Sequence, residues 1–539
     1  MAFARPEIQP SHTFRYRYRR ASLRRPLVLM AAAGTVLVAA CGDNGTTSPQ
    51  AAGTPKDGGT MTFLLQSEAR GLDPFTASYN NVVDGNRMAA IYDELVWADP
   101  NTGTVHPQLA ESLLPKEPTA KVWMLTLRSD VKFTDGTPLD ANAVKVNWDR
   151  HADPKVQSQQ NAAAAGLDTE VVDDTHLQIT LPERNANFDR MVATQLTYIA
   201  SPKCIASQKC AENPVGAGPF MLNPGNWHKG KSLTLDRNPT YFKKGAPYLD
   251  HVVFKVDPDP GHAVGELKAG RADATSTIDP MVVAQARDGG LGTVSVILSG
   301  GQMISFNTSS GPFADPDARR AVANALSADA INQQIFDGTG AVAHGIFSSS
   351  SPVANDQLQQ PNNNPDEAAR LFAKVTANGS KPLTATMIIP NAPNTVKVAQ
   401  YIQQTLAKYP GVKLNVETLD VPTFITRSNI ERRFEVKIDQ IWLPDPEPIL
   451  VGFLRGDSFS NCCFYKNPAV DQALITARTT IDNTVRRDAY TQVQIALNRD
   501  VPFWVYQEAI GTAVFAPRIT GVSLHSDGVA LFDRIGLRR

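Results

Sequence analysis

Residues 123–150 read WMLTLRSDVKFTDGTPLDANAVKVNWDR. The stretch opens in a strand pattern. Val122, Met124 and Thr126 alternate with Trp123, Leu125 and Leu127, which makes one face of an extended chain apolar. Arg128-Ser129-Asp130 interrupts it, and Val131-Lys132-Phe133 is a second short extended run. Asp135-Gly136 predicts a tight turn, because glycine tolerates the positive φ of a sharp reversal. Asp140 stands as a helix N-cap, and Val144 and Trp148 share a face of the helix that follows. Nothing in this module is chemically reactive, so by itself it reads as packing and turn structure.

The same residues closely resemble the signature of the family 5 extracellular solute-binding proteins, the peptide and nickel receptors of ABC importers. Leu127-Arg128, Val131-Lys132-Phe133, Asp135-Gly136-Thr137-Pro138-Leu139, Ala141 and Val144 carry the match. Asn142-Ala143 replaces the family's usual acidic pair, which weakens the charge at the helix N-terminus but not the fold. Further matches fall in the family's order: Leu72-Asp73-Pro74, the IYDELV run over 91–96, PQLAES over 107–112, PVGAGPF over 214–220, LKAGRAD over 267–273 and the GPFADPDARRA run over 311–321. The glycines over 214–220 lack both the dinucleotide fingerprint and the Lys-Ser/Thr ending of a phosphate loop. Pro219 also removes a donor N–H, so a chain crossing between domains fits them better.

The resemblance implies an α/β, two-lobed periplasmic-binding-protein-like fold of class II with an extra domain, three domains around a ligand cleft. Domain I is expected to be discontinuous, at 57–98, 213–304 and 509–539. Domain II is an insertion at 99–212, and domain III spans 305–508. The lobes close about a hinge where the chain crosses, near 212, 305 and 508. Helices are expected over 82–95, 367–374, 396–409 and 467–483, and strands over 383–389 and 412–418.

Length and charge agree with an exported receptor. The 539 residues are too many for one core. Residues 1–40 hold seven Arg and one Glu, a net charge of +6, so the remainder carries −7 against −1 for the whole chain. A chain of that sign is unsuited to polyanions, and nucleic acid is excluded as a partner. Arg15 to Arg25 forms a basic n-region. The apolar run over 26–40 is too short for a permanent bilayer span, so residues 1–40 are expected to be a signal peptide. Val38-Ala39-Ala40-Cys41 resembles a bacterial lipobox, with Cys41 as the lipidated residue and 41–56 as a flexible tether; the plainer alternative is a signal peptide whose cysteine is incidental. Export permits disulfides. Cys204 and Cys210, separated by five loop-like residues, are expected to pair. For the adjacent Cys462 and Cys463 a vicinal disulfide, two thiols and cross-pairing all stay open. Neither pair has the two-plus-two spacing of a zinc site.

The most informative chemical segment is Ile441-Trp442-Leu443-Pro444-Asp445-Pro446-Glu447-Pro448, after an apolar-alternating run over 434–441. Peptide receptors of the family carry a Trp-x-x-Asp here whose carboxylate pairs with the peptide's α-ammonium. The resemblance puts Trp442 and Asp445 in those roles, with no partner for Asp445 implied inside the chain. The plainer reading is that Asp445 starts a proline-rich turn. Ile441 stands where a glycine often lets the ligand backbone approach. Tyr79, Asn80, Gln302 and Ser305 are further ligand candidates by their place in the family's cleft-lining loops; each reads equally as an ordinary surface or hinge residue.

The chain carries no G-x-S-x-G, H-E-x-x-H, Walker A or kinase motif, and its nine His are scattered singly, so it is not expected to be an enzyme or to hold a cofactor or metal. The expected function is that of a monomeric, lipid-anchored receptor on the outer face of the cytoplasmic membrane. It would pass peptides to the permease and ATPase subunits of an ABC importer. A metal chelate, oligosaccharide or opine is the alternative solute in the same fold; a secreted hydrolase or chaperone-like binder is the distant one.

Overall fold

The structure is a computed structural model and describes residues 53–539. The expected signal peptide, Cys41 and the tether up to residue 52 lie outside the described residues. The tether gives way to structure before residue 56: Pro55–Lys56 pairs antiparallel with Gly536–Arg538.

The 123–150 module folds largely as its pattern implies. Val122–Leu127 is a strand whose Trp123, Leu125 and Leu127 are buried while the alternate residues are half-buried. It forms an antiparallel sheet with Ala110–Pro115 on one side and His176–Thr180 then Asp168–Val171 on the other. The second extended run is only an isolated bridge, Lys132 to Pro138, that closes the Asp135-Gly136 turn. Asp135 accepts from Thr137 N at 2.9 Å and from Ser201 Oγ at 2.7 Å, which ties the turn to the returning chain. Asp140 caps the helix Ala141–Ala152 by accepting from Ala143 N at 2.7 Å. Trp148 is buried against Phe188 and donates its indole N–H to the Leu196 carbonyl, so the large aromatic leaves no polar atom unsatisfied.

The second, larger sheet has eleven strands. Its order, from one edge, is Trp227–His228, Ser232–Arg237, His251–Val256, Thr60–Leu65, Ala274–Thr277, Phe503–Phe515, Gly292–Phe306, Val436–Leu443, Leu383–Pro390 and Val412–Leu419, with Phe220–Met221 beside Ser232–Arg237. Two of these strands, Gly292–Phe306 and Phe503–Phe515, are long enough to serve two cores. Their register slips between Leu298 and Gln302. Gly300 and Gly301 occupy the slip at φ of 85° and 122°, where a Cβ on Gly301 would overlap the Gln507 carbonyl oxygen.

Apolar clustering divides at the same places. One core joins residues within 61–92, 198–298 and 509–537. A second joins residues within 95–217. Two more, within 304–506 and 303–505, fill the opposite end of the large sheet. The chain leaves the second core through 214–220, where Gly216 packs on the end of the helix Gly85–Tyr92. A Cβ there would overlap the Ile91 carbonyl oxygen, which explains the glycine without any phosphate.

Two helix expectations need correction. The helix expected over 82–95 is shorter, Gly85–Tyr92, because Asn80 and Asp93 form turns at its ends. The helix expected over 467–483 is shorter, Pro468–Thr479, and a further helix that was not expected follows, Asn483–Asp500, with Asp482 as its N-cap accepting from Thr484 N at 2.7 Å. The residues between Cys204 and Cys210 are not all loop either, since the helix Pro202–Ser207 enters them. Both Cys204–Cys210 and the adjacent Cys462–Cys463 are disulfides in the structure.

Candidate functional site

The strand Val436–Leu443 ends at a proline-rich turn and leads into the helix Ile449–Leu454. Alternation along the strand puts Lys437 and Asp439 on one face, and their side chains pair at 2.8 Å. Lys437 also donates to Asn429 Oδ1 at 3.3 Å and lies over the Phe434 ring. Across the sheet, Gln440 faces Gln302 and Ile441 faces Gly301, so the ladder irregularity and this strand end meet.

In the turn, Asp445 Oδ1 accepts from Glu447 N at 2.9 Å, the local bond of an Asp that starts a turn. The expectation that Asp445 has no partner inside the chain is corrected here. Arg486, from the helix Asn483–Asp500, donates to the same oxygen, and its side chain is only 3% exposed. Arg190, from the helix Phe188–Gln195, lies 3.6 Å from Oδ2. A second acid follows. Glu447 is completely buried, accepts from Asn185 Nδ2 at 3.3 Å and pairs with Arg478 at 3.3 Å. Burial raises its carboxyl to about 7, with Arg478 opposing the shift. Backbone contacts run alongside: Ala186 N donates to the Arg478 carbonyl at 2.7 Å, and Asn187 Nδ2 to the Ala477 carbonyl at 3.1 Å. Residues 183–190 are thereby joined to 445–486 by charged and polar bonds. Such a contact can open at modest cost because water can replace its bonds.

Beside this contact lies a cavity of about 640 Å³. Ala162, Ala163 and Gln195 form one wall; Lys437, Asp439, Gln440 and Ile441 form another. Arg432, Phe453, Phe459 and Cys462 complete the rim. The volume suits a small organic solute, and the lining mixes apolar surface with a few charged groups, the usual make-up of a ligand site.

The residues expected from sequence are scattered about this site. Asp445 is in the turn between cavity-lining Ile441 and Pro448. Trp442 is half-buried and packs on the first core, across the sheet from Gly300. Gln302 bonds Gln440 and Tyr506, each at 3.4 Å. Asn80 is occupied by a turn, its Oδ1 accepting from Val82 N at 2.9 Å. Tyr79 is turned into the first core, its hydroxyl donating to the Pro74 carbonyl and its ring set edge-on to Tyr198. Ser305 is fully buried near the end of the strand Gly292–Phe306, between Lys437 and Phe503 of the strands on either side. Sequence reasoning missed Arg190, Arg432, Lys437, Asp439 and Arg486. The two-residue spacing of Lys437 and Asp439 could have been read from strand alternation; Arg190 and Arg486 pair with Asp445, and Arg432 is held by the Phe459 and Asn461 carbonyls, over separations that no local pattern encodes. Among the described residues no group of three or more His, Cys, Asp or Glu is placed to hold a metal ion.

Comparison with known proteins bears directly on this geometry. The model of the bacterial extracellular solute-binding proteins, family 5, matches residues 104–461. The glutathione-binding protein GsiB of Salmonella typhimurium is 25% identical over 481 residues, covering 87% of this chain and 92% of that protein. The periplasmic oligopeptide-binding protein OppA of the same species is 24% identical, covering 82% and 86%. Among solved structures, NikA from Brucella suis in complex with Fe(III)-EDTA superposes with a TM-score of 0.77 at 21% identity, over 89% of this chain and all of that one. The likeness shows the multi-domain α/β periplasmic-binding-protein fold of class II.

Proposed function

From the premise that this chain belongs to the family 5 bacterial extracellular solute-binding proteins, and so binds solute without catalysis, we propose that it captures a short peptide between its lobes and hands it to the permease of an ABC importer. The observation that carries the reading is the cavity between the insert and the Val436–Leu443 strand, with charges of both signs in its walls. A zwitterionic peptide needs both signs, and it needs its ends held rather than its side chains recognised. The names of the similar glutathione- and oligopeptide-binding proteins support the same class of solute.

Closure supplies the selectivity. The Arg190–Asp445 and Arg478–Glu183 contacts, 3.6 and 3.2 Å, form only when insert and strand end meet. A solute touching both walls favours that closed form by its differential affinity for it. Within this proposal Trp442, Asp445, Gln302, Asn80, Tyr79 and Ser305 remain the ligand set inferred from the family, and Asp445 is the member whose chemistry is specific. Arg486 keeps Oδ1, while an α-ammonium competes with the more distant Arg190 for Oδ2. Calorimetry against di- and tripeptides, glutathione among them, is the test. Saturable binding with a fall in the scattering radius of gyration is expected. Heat from a chelate or sugar and none from any peptide would overturn the reading.

The proposal includes export, with Cys41 acylated and a single receptor copy tethered outside the cytoplasmic membrane beside the permease and ATPase. Cys41→Ala is expected to move the processed protein from the membrane to the soluble fraction. Retention in the membrane after leader removal would refute the anchor.

A further inference from the structure

The charges lining the cavity are not balanced. Lys437 and Asp439 neutralise each other at 2.8 Å. Arg432 is the remaining ionised group, and among the described residues no carboxylate lies within ion-pair distance of it. Its guanidinium lies 4.2 Å from the centre of the Phe464 ring and 6.0 Å from that of Phe459. Nη1 donates to the Phe459 carbonyl at 2.9 Å and Nη2 to the Asn461 carbonyl at 2.6 Å. These two bonds orient the plane and leave three of the five guanidinium N–H donors for another partner. The backbone at Arg432 is left-handed, with φ of 54°, a conformation a non-glycine residue keeps only where its surroundings hold it. Beside it the large apolar side chains Ile430 and Phe459 are 67% and 77% exposed, although both line the cavity. A positioned, uncompensated guanidinium flanked by uncovered apolar surface is incomplete without an anionic, partly apolar occupant.

We propose that Arg432 receives a carboxylate of the bound solute, with Ile430 and Phe459 covering the adjoining apolar part. This rests on the peptide reading above and narrows it. The occupant is a short peptide that presents either its own C-terminal carboxylate or an acidic side chain beside Arg432. Both sources offer the same planar, two-oxygen acceptor, which a guanidinium fork matches. The preference for an acid comes from this one residue, because the Lys437–Asp439 pair already satisfies itself.

The test is calorimetry on the full mature protein with trialanine, trialanine amide and alanyl-glutamyl-alanine amide. If the C-terminal carboxylate is the partner, amidation of trialanine weakens binding roughly tenfold or more, the scale of a hydrogen bond to a charged group, and the glutamyl amide is as weak as trialanine amide. If the side chain is the partner, the glutamyl amide binds about tenfold more tightly than trialanine amide, and amidation of trialanine changes little. In either case Arg432→Gln should bring the peptides to within about twofold of one another by removing the charge-assisted bonds. Arg432→Lys, which keeps the charge and an alkyl stem over Phe464, should retain part of the difference and serves if the glutamine variant melts early. Equal discrimination in wild type and variants places the carboxylate elsewhere and overturns the assignment. Peptide binding by the wild type without preference among the three overturns it while leaving the peptide reading intact. Absence of binding by any peptide overturns both.

Discussion

Asp445→Asn is expected to lower stability by roughly 3–5 kcal/mol, the scale for leaving one member of a buried ion pair uncompensated. The Arg486 side chain is 3% exposed and that of Asp445 14%, so the guanidinium left behind cannot recover its hydration without local opening. The introduced amide would still offer its oxygen to the Glu447 N–H, so the turn itself should survive. The loss is therefore one of charge, and a second substitution can show it. Arg486→Met in the Asp445→Asn background removes the stranded cation and should restore most of the stability, giving a large coupling in a double-mutant cycle. Urea unfolding at constant m-value reads both effects. A loss below about 1 kcal/mol, the range of exposed pairs, would mean that water reaches this pair and that its burial does not matter. Peptide affinity in the single variant must be compared at temperatures where it is folded, since Asp445 has a structural partner as well as its proposed ligand role.

The same pair marks the boundary of what could be read from sequence. Local rules succeeded where the cause is local. Alternation gave the strand over 122–127, Asp140 was identifiable as a cap from its position before the apolar spacing, and Gly216 answers to close packing on Ile91. The helix Asn483–Asp500 was missed for a physical reason. Its buried face includes Arg486 and Gln494, so burial there does not follow apolarity, and the break before it has no proline or glycine. Those polar residues are the ones with long-range duties: Arg486 reaches Asp445, and Gln494 accepts from Ile346 N at 3.2 Å. Arg432 is similar. In sequence it is one of two adjacent arginines; its seat over Phe464 and its bonds to the Phe459 and Asn461 carbonyls separate it from Arg433, whose side chain is 73% exposed. Candidate residues drawn from the family's loops fared according to their surroundings. Gln302 lies beside the cavity strand, whereas Ser305, three residues on, is sealed within the sheet.

Glu508→Gln is expected to stabilise the protein at pH 8 by up to roughly 3 kcal/mol and to do little at pH 4.5. Glu508 lies on the long strand Phe503–Phe515, next to the register slip, and faces a small space lined by His344, Phe347, Ser349 and Gln494. It is 9% exposed, and no Lys or Arg among the described residues pairs with it. Burial raises its carboxyl from 4.5 to about 7, opposed only by a backbone hydrogen bond from Ser349. Because the folded value lies above the unfolded one, the protonated acid's favourable contribution is complete below pH 4.5. It is lost as pH rises through 7, where folding must bury an anion. Glutamine keeps the size and a hydrogen-bonding carbonyl and has no charge to bury, so the variant should keep its stability where the wild type loses it. Glu447 titrates in the same range, so the wild-type pH slope alone does not separate the two acids; the difference between wild type and variant does. Urea midpoints at pH 4.5 and pH 8 provide that difference. An equal difference at both pH values would mean that Glu508 titrates in the folded protein as it does in the unfolded chain. The strand carrying it would then have to admit water beside the register slip that separates the cores of the large sheet.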